Sequence, residues 1–224
     1  MGTRYKRNLL DTPTLKARDG TNLWVLKPGR WNRKLGGRFT RGKWRGMRIW
    51  SLTLEEQSDN CPADCLQWSR CYGRNMPFAH RYSNNAALLI GIRQDLMTLT
   101  GRGKPYAVRL HVLGDFPSVG YVMFWQTMLA LHTLAHVWGY THWKPQTDVG
   151  QAIRQLAGSC DRFRIMASDG EQGDTLPRAV VVDTWEDNHD RLLVPCPEQT
   201  GRVPTCGACG LCVNGRTEVA FHAH

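Results

Sequence analysis

The chain has no run of about eighteen apolar residues, so a membrane-spanning helix is not expected. Its opening, Met-Gly-Thr-Arg-Tyr-Lys-Arg-Asn, has no apolar stretch after its charges, so no secretory signal is expected either. A reducing, cytoplasmic setting follows as an expectation. There a disulfide framework is disfavoured, and clustered cysteines read as metal or redox sites. No repeat of solenoid period and no low-complexity tract interrupts the chain. Acidic residues are scarce at its start. Residues 1–48 hold 2 Asp and Glu against 14 Lys and Arg, a net charge of +12, whereas the remainder nets −2.

That basic opening also carries Trp24, Trp31, Phe39 and Trp44, interleaved with Arg30, Arg33, Lys34, Arg38, Arg41, Lys43 and Arg45. Guanidinium groups neutralise phosphates and indoles stack on bases, so residues 1–48 read as a nucleic-acid footprint. The competing reading is a solvated arm whose aromatics pack on the domain. Residues 1–46 show little periodicity and are expected as a basic Arg/Trp-rich arm or short hairpin, turning near Gly36-Gly37.

Residues 47–224 are expected as a single α/β domain, with 42% of the whole chain hydrophobic. Strand-like runs fall at 47–54, 106–113, 136–143, 162–168, 179–183 and 192–194. Helical patterns fall at 79–100, 118–135 and 146–157. Strands alternating with helices predict a mostly parallel sheet. At 224 residues the chain is short for a full eight-fold barrel, so an open, partial parallel βα barrel of five or six strands is expected. In such folds the site lies at the C-terminal strand ends.

Seven of the eight cysteines fall in two clusters near such ends. Cys61, Cys65 and Cys71 follow the first strand. Three thiolates leave one iron of a [4Fe–4S] cluster open, or with His80 or His111 complete a zinc site. Cys196, Cys206, Cys209 and Cys212, ending in Cys-Gly-Ala-Cys-Gly-Leu-Cys, supply four thiolates in segment 196–212. Their spacing suits a closed iron–sulfur cluster, with zinc as the alternative. Cys160 reads as a small buried hydrophobe.

Three polar motifs share the strand ends. Gly114-Asp115 permits close approach of a ligand whose amine Asp115 would accept, or else forms a turn in which Asp115 caps the next helix. Ser168-Asp169-Gly170 reads the same two ways. Tyr140-Thr141-His142 could face the same pocket.

Cys-Pro-Ala-Asp-Cys…Cys-Tyr, Arg-Leu-His-Val-Leu-Gly-Asp-Phe, Arg-Ile-Met-Ala-Ser-Asp and Val-Pro-Cys-Pro-Glu-Gln-Thr-Gly…Cys-Gly-Ala-Cys-Gly-Leu-Cys span residues 47–214. Together they resemble the phage family called gene product eighty-eight. That resemblance implies a phage or mobile-element origin and a bacterial host's cytoplasm, and carries no activity with it.

The layout also resembles, remotely, the radical S-adenosylmethionine superfamily. Its members carry a three-cysteine loop after the first strand, a Gly-Gly-Glu-Pro motif after the second and a polar residue after the fourth. Here Cys61, Cys65 and Cys71, then Gly114-Asp115-Phe116-Pro117, then Ser168 stand at those places. The gap of five residues before Cys71, Tyr72 after it, and Asp for Glu differ from that pattern. The resemblance implies an iron–sulfur enzyme in which Asp115 is catalytic and Gly114, Asp115 and Ser168 bind S-adenosylmethionine. Joined to the basic arm, it implies modification of a base in nucleic acid or a nucleotide. Two other expectations stand beside it: a zinc-containing barrel enzyme of base exchange, and a non-enzymatic nucleic-acid-binding module stapled by metal.

Overall fold

Period-two alternation sorts the first long strand onto two faces. Trp50, Leu52 and Leu54 enter one hydrophobic cluster, and Ile49 enters another. The structure, a computed structural model, describes residues 9–10, 23–76, 79–186, 193–214 and 217–223.

The strands are β1 (Leu9–Leu10), β2 (Lys27–Pro28), β3 (Arg48–Ser51), β4 (Arg81–Tyr82), β5 (Tyr106–Arg109), β6 (Ala135–Thr141), β7 (Phe163–Ser168), β8 (Arg178–Val182), β9 (Leu193–Pro195) and β10 (Glu218–His222). The α-helices are α1 (Ala86–Thr100), α2 (Val119–Leu131), α3 (Asp148–Ser159) and a single turn, α4 (Cys206–Cys209). One eight-stranded sheet has the order β2-β3-β5-β6-β7-β8-β10-β9. β2 is antiparallel to β3, and every other pair in it is parallel. β1 and β4 form a separate parallel pair.

From β3 to β8 the strand order never reverses. Right-handed crossovers then put every connecting helix on the same face. The packing agrees: Leu88, Ile92 and Leu96 of α1, Trp125 and Leu129 of α2, and Ile153 of α3 share one core with Val108, Val137 and Ile165. Each helix starts at a cap the sequence supplies. Asn85, Ser118 and Thr147 accept hydrogen bonds from the amides of Leu88, Tyr121 and Gly150. The opposite face has no long helix among the described residues. The chain between Gly29 and Met47 and the cysteine segment after β9 cover it.

Four expectations need correction. Helix α1 starts at Ala86 rather than 79, because Asn85 caps it and Arg81–Tyr82 pairs with β1. The chain does turn at Gly36, whose amide bonds the Asn32 carbonyl at 3.3 Å, but the hairpin expected there lies further on, where the Phe39 amide bonds the Met47 carbonyl and the Gly46 amide bonds the Phe39 carbonyl. β10 was not foreseen, and it inserts between β8 and β9.

The fourth concerns the expected arm. Residues 1–22, apart from the backbone of β1, lie outside the described residues, but the stretch from Leu23 to Gly46 is part of the fold. Leu23, Val25 and Leu26 are fully buried. Buried Asp95 of α1 accepts the amides of Trp24, Val25 and Leu26 at 2.6, 2.7 and 2.7 Å. Phe39 and Trp44, each 1% exposed, pack with Ile49 and Trp138 beneath the C-terminal cysteines. Among the described residues no helix is long and apolar enough to cross a membrane.

Candidate functional site

The cysteine loop after β3 lies across the C-terminal ends of the parallel strands. Side-chain ties along its length set that course. Asp64 pairs with Lys144, which follows β6. Gln67 donates to Asp169, which follows β7, at 2.9 Å. Arg70 pairs with Asp183, which follows β8, at 2.6 Å. At the base of the loop, buried Arg81 grips Glu56 with two hydrogen bonds of 2.6 and 2.8 Å. The same guanidinium donates to the carbonyls of Gly73, Met76 and Ala79. This buried fork fixes the chain on both sides of Cys71.

The C-terminal cysteines sit on the other wall. Thr205 caps the turn that carries Cys206 and Cys209. The amides of Cys206 and Gly207 bond the carbonyls of Lys34 and Leu35 at 2.7 and 3.0 Å. A Cβ on Gly207 would lie 2.3 Å from the Arg38 carbonyl oxygen, so only glycine lets the two segments approach this closely. The basic segment is therefore the seat of the second cysteine cluster.

Between the two walls lies a cavity of about 290 Å³. All seven clustered cysteines line it, as do Gly114, Asp115 and Ser168. The ten residues singled out from the sequence thus face one space. His111 lines it as well; His80 does not. Cys160 packs against the helical core, apart from the cavity.

The thiols form no disulfide. Burial pushes Cys61 up to about 12, with Asp115, Cys71 and Cys65 pushing the same way. Cys65 rises to about 11 by burial, reinforced by Asp115 and Cys71. Burial raises Cys206 to about 12 and Cys212 to about 11, and Cys196 raises both further. Among the described residues, no three His, Cys, Asp or Glu side chains stand in an arrangement that could hold a metal ion.

Asp115 is buried behind the first cysteines. It does not cap α2; Ser118 does. Its carboxylate accepts from the Phe116 amide at 2.7 Å, the Thr141 hydroxyl at 2.9 Å and the His142 amide at 2.7 Å. Burial outweighs these donors and raises its pKa to about 7. Gly114 lies in left-handed backbone at φ +78°, and a Cβ there would fall 2.8 Å from that of Leu54. The glycine lets this turn close onto the end of the first long strand.

The His142 ring stands between two carboxylates. Its Nδ1 lies 4.0 Å from Asp115 and its Nε2 3.8 Å from Asp169. Burial lowers its pKa, against the opposing pull of Asp169. Asp169 is itself left-handed at φ +50° and spans the strand ends, accepting from the Val181 amide at 3.0 Å. His111 is left-handed too, at φ +51°; burial lowers it to about 3, and its Nε2 lies 3.1 Å from the Tyr121 hydroxyl. Non-glycine residues held in this region cluster at functional sites.

Sequence reasoning passed over Arg109 and the Glu56–Arg81 pair. Arg109 left a signal, a charge in the otherwise apolar strand Tyr-Ala-Val-Arg-Leu. Glu56 and Arg81 left none, since nothing local links them. Comparison of the chain with family models, with curated proteins and with solved structures finds no match.

Proposed function

We propose that this protein is an iron–sulfur enzyme of the radical S-adenosylmethionine-like type that modifies a base in nucleic acid or in a nucleotide. One observation carries the reading. Seven cysteines, Gly114, Asp115 and Ser168 line a single cavity at the C-terminal ends of parallel strands. The strand order that never reverses from β3 to β8, with its long helices on one face, supports reading the sheet as an open barrel around that cavity.

The donor types suit such a group, soft thiols with three on one wall and four on the other, and the thiols would have to draw together to hold it, since no three stand in a metal-holding arrangement among the described residues. Cys61, Cys65 and Cys71 would hold a three-thiolate cluster, and one-electron chemistry would be available there to a bound ligand. Cys196, Cys206, Cys209 and Cys212 would hold a closed site. Asp115, fixed by three donors, keeps acceptor capacity for a ligand amine. Ser168 lines the same space. The cysteine loop, tied across the strand ends, forms one wall of the cavity.

The outer surface supports a nucleic-acid partner. Arg33, Arg38, Arg41, Lys43, Arg45 and Arg48 are exposed, and so are Trp24 and Trp31, each 48% accessible.

The test is anaerobic purification with analysis of iron, acid-labile sulfide and zinc. The expected preparation is brown and holds iron and sulfide. Cys71→Ala is expected to abolish activity while the fold survives, whereas Cys209→Ala costs folding stability. Stoichiometric zinc without sulfide, after growth with ample iron, would overturn the reading and favour the zinc-containing barrel.

A further inference from the structure

One cation in the cavity has no carboxylate partner among the described residues; the acidic groups that act on it are Tyr140, Tyr72 and the Cys206 and Cys212 thiols. Arg109 projects from β5 onto the helix-free face and lines the cavity. Its Nη1 donates to the carbonyls of Leu110 and His111. Nε and Nη2 have no acceptor among the described residues, and the guanidinium makes no ion pair there. Three other arginines with little exposed surface are neutralised by a carboxylate, Arg81 by Glu56, Arg154 by Asp174 and Arg178 by Glu218, while the Arg162 guanidinium donates to the carbonyls of Leu129, His132 and Ala135.

The surroundings hold this cation in place without neutralising it. Its guanidinium carbon lies 4.4 Å from the centroid of the Tyr140 ring. The π face orients the planar fork and leaves its edge open. Tyr140 meets Phe221 edge to face at 5.6 Å. Lys34, also on the cavity, lies over Phe221 at 5.6 Å, and Glu198 neutralises it in part at 3.5 Å. Two cations thus stand on one aromatic corner. Arg109 is half-buried with part of its fork open to the cavity, and a guanidinium fork matches the two oxygens of a carboxylate or phosphate.

We propose that Arg109, with Lys34, is an anion receptor of this cavity, and that the ligand seated on Tyr140 and Phe221 carries a carboxylate or phosphate group. The inference deepens the proposed function, since it gives that cavity's ligand a charge and a place to put it. It does not depend on which metal the cysteines hold. Arg109 is a binding residue in this scheme, and the free fork edge is what meets the ligand.

The test uses the full chain as purified, with its metal content measured on the same sample. Thermal melting is followed against increasing inorganic phosphate or sodium acetate, with sodium chloride at matched ionic strength as the reference. A ligand of the folded state alone raises the midpoint by mass action. Phosphate or acetate is expected to raise it above chloride, and the more effective of the two names the group the receptor takes. Arg109→Gln should weaken the fitted affinity by about tenfold or more, as expected when a charge-assisted pair of hydrogen bonds is removed. Arg109→Lys, which keeps the charge and loses the fork, should fall between.

Neither anion exceeding chloride overturns the receptor, as does an unchanged affinity in Arg109→Gln. Loss of metal in Arg109→Gln with anion affinity intact also overturns it, and makes Arg109 the partner of the Cys206–Cys212 site. If Arg109→Gln does not fold, Lys34→Gln decides instead: a weakened affinity supports the receptor and an unchanged one overturns it. Iron and sulfide with no anion effect would sink the receptor alone. An anion effect without iron would sink the functional reading alone.

Discussion

Trp44 and Trp31 are thirteen positions apart in the same basic stretch, and burial gives them different work. Trp44 is 1% exposed and meets Phe39, His136 and Trp138 at 5.6, 5.1 and 6.0 Å. Trp31 is 48% exposed. Trp44→Ala is expected to lower stability by about 3–5 kcal/mol, as for other large aromatics removed from a core. Trp31→Ala is expected to stay within about 0.5 kcal/mol. Denaturant midpoints of the two variants check this, and equal small losses would mean that the Trp44 pocket does not hold the fold together. The interleaving of cations and aromatics could not separate these roles in the sequence. A stacking arm and a hairpin with one buried face show the same alternation. The cysteines were legible because the thiols of each cluster lie close together in sequence. Arg109 was harder to see, since only the fold shows that it lines the cavity and pairs with no carboxylate among the described residues.

At the scale of elements, the strands and helices between 47 and 168 were readable because apolar periodicity and caps are local signals. The position of β10 was not, because strand neighbours are chosen by long-range packing. The course of the cysteine loop was equally hidden, since its ties reach Lys144, Asp169 and Asp183 far along the chain. Arg81 is the tie with the most consequence. Its side chain is 3% exposed, and it holds Glu56 and three carbonyls at once. Removing one partner of such a pair leaves a charge buried without compensation, at a cost of about 3 kcal/mol or more. Arg81→Met should therefore lower the denaturant midpoint and speed amide exchange across residues 71–76, with little change in α2 or α3. Exchange unaltered in that segment would show that the loop keeps its shape without the fork. By contrast Arg70–Asp183 is largely exposed and screened, so its loss should hardly register.

At the scale of the molecule, charge and core are superposed in one segment rather than divided between an arm and a domain. Leu35, Phe39 and Trp44 anchor the chain under the second cysteine cluster, while Arg38, Arg41, Lys43 and Arg45 stay outside. Deleting residues 1–46 would thus remove the carbonyls of Lys34 and Leu35 that receive the amides of Cys206 and Gly207. A loss of nucleic-acid binding after that deletion would say nothing about the cations themselves. Substitution in place isolates them. Changing Arg41, Lys43 and Arg45 together to Gln leaves every buried side chain of the segment intact. Each phosphate deprived of its cation should flatten the slope of log affinity against log salt by about 0.9 for duplex DNA and about 0.7 for single strands. The triple variant should therefore bind more weakly at low salt and approach the parent at high salt, with unchanged melting. Adding Trp24→Ala and Trp31→Ala should weaken single-stranded binding more than duplex binding if the two indoles stack on bases. A triple variant that binds DNA and RNA like the parent at every salt concentration would show that Arg41, Lys43 and Arg45 contact no phosphate, leaving Arg33, Arg38 and Arg48 as the cations of the segment still to be tested.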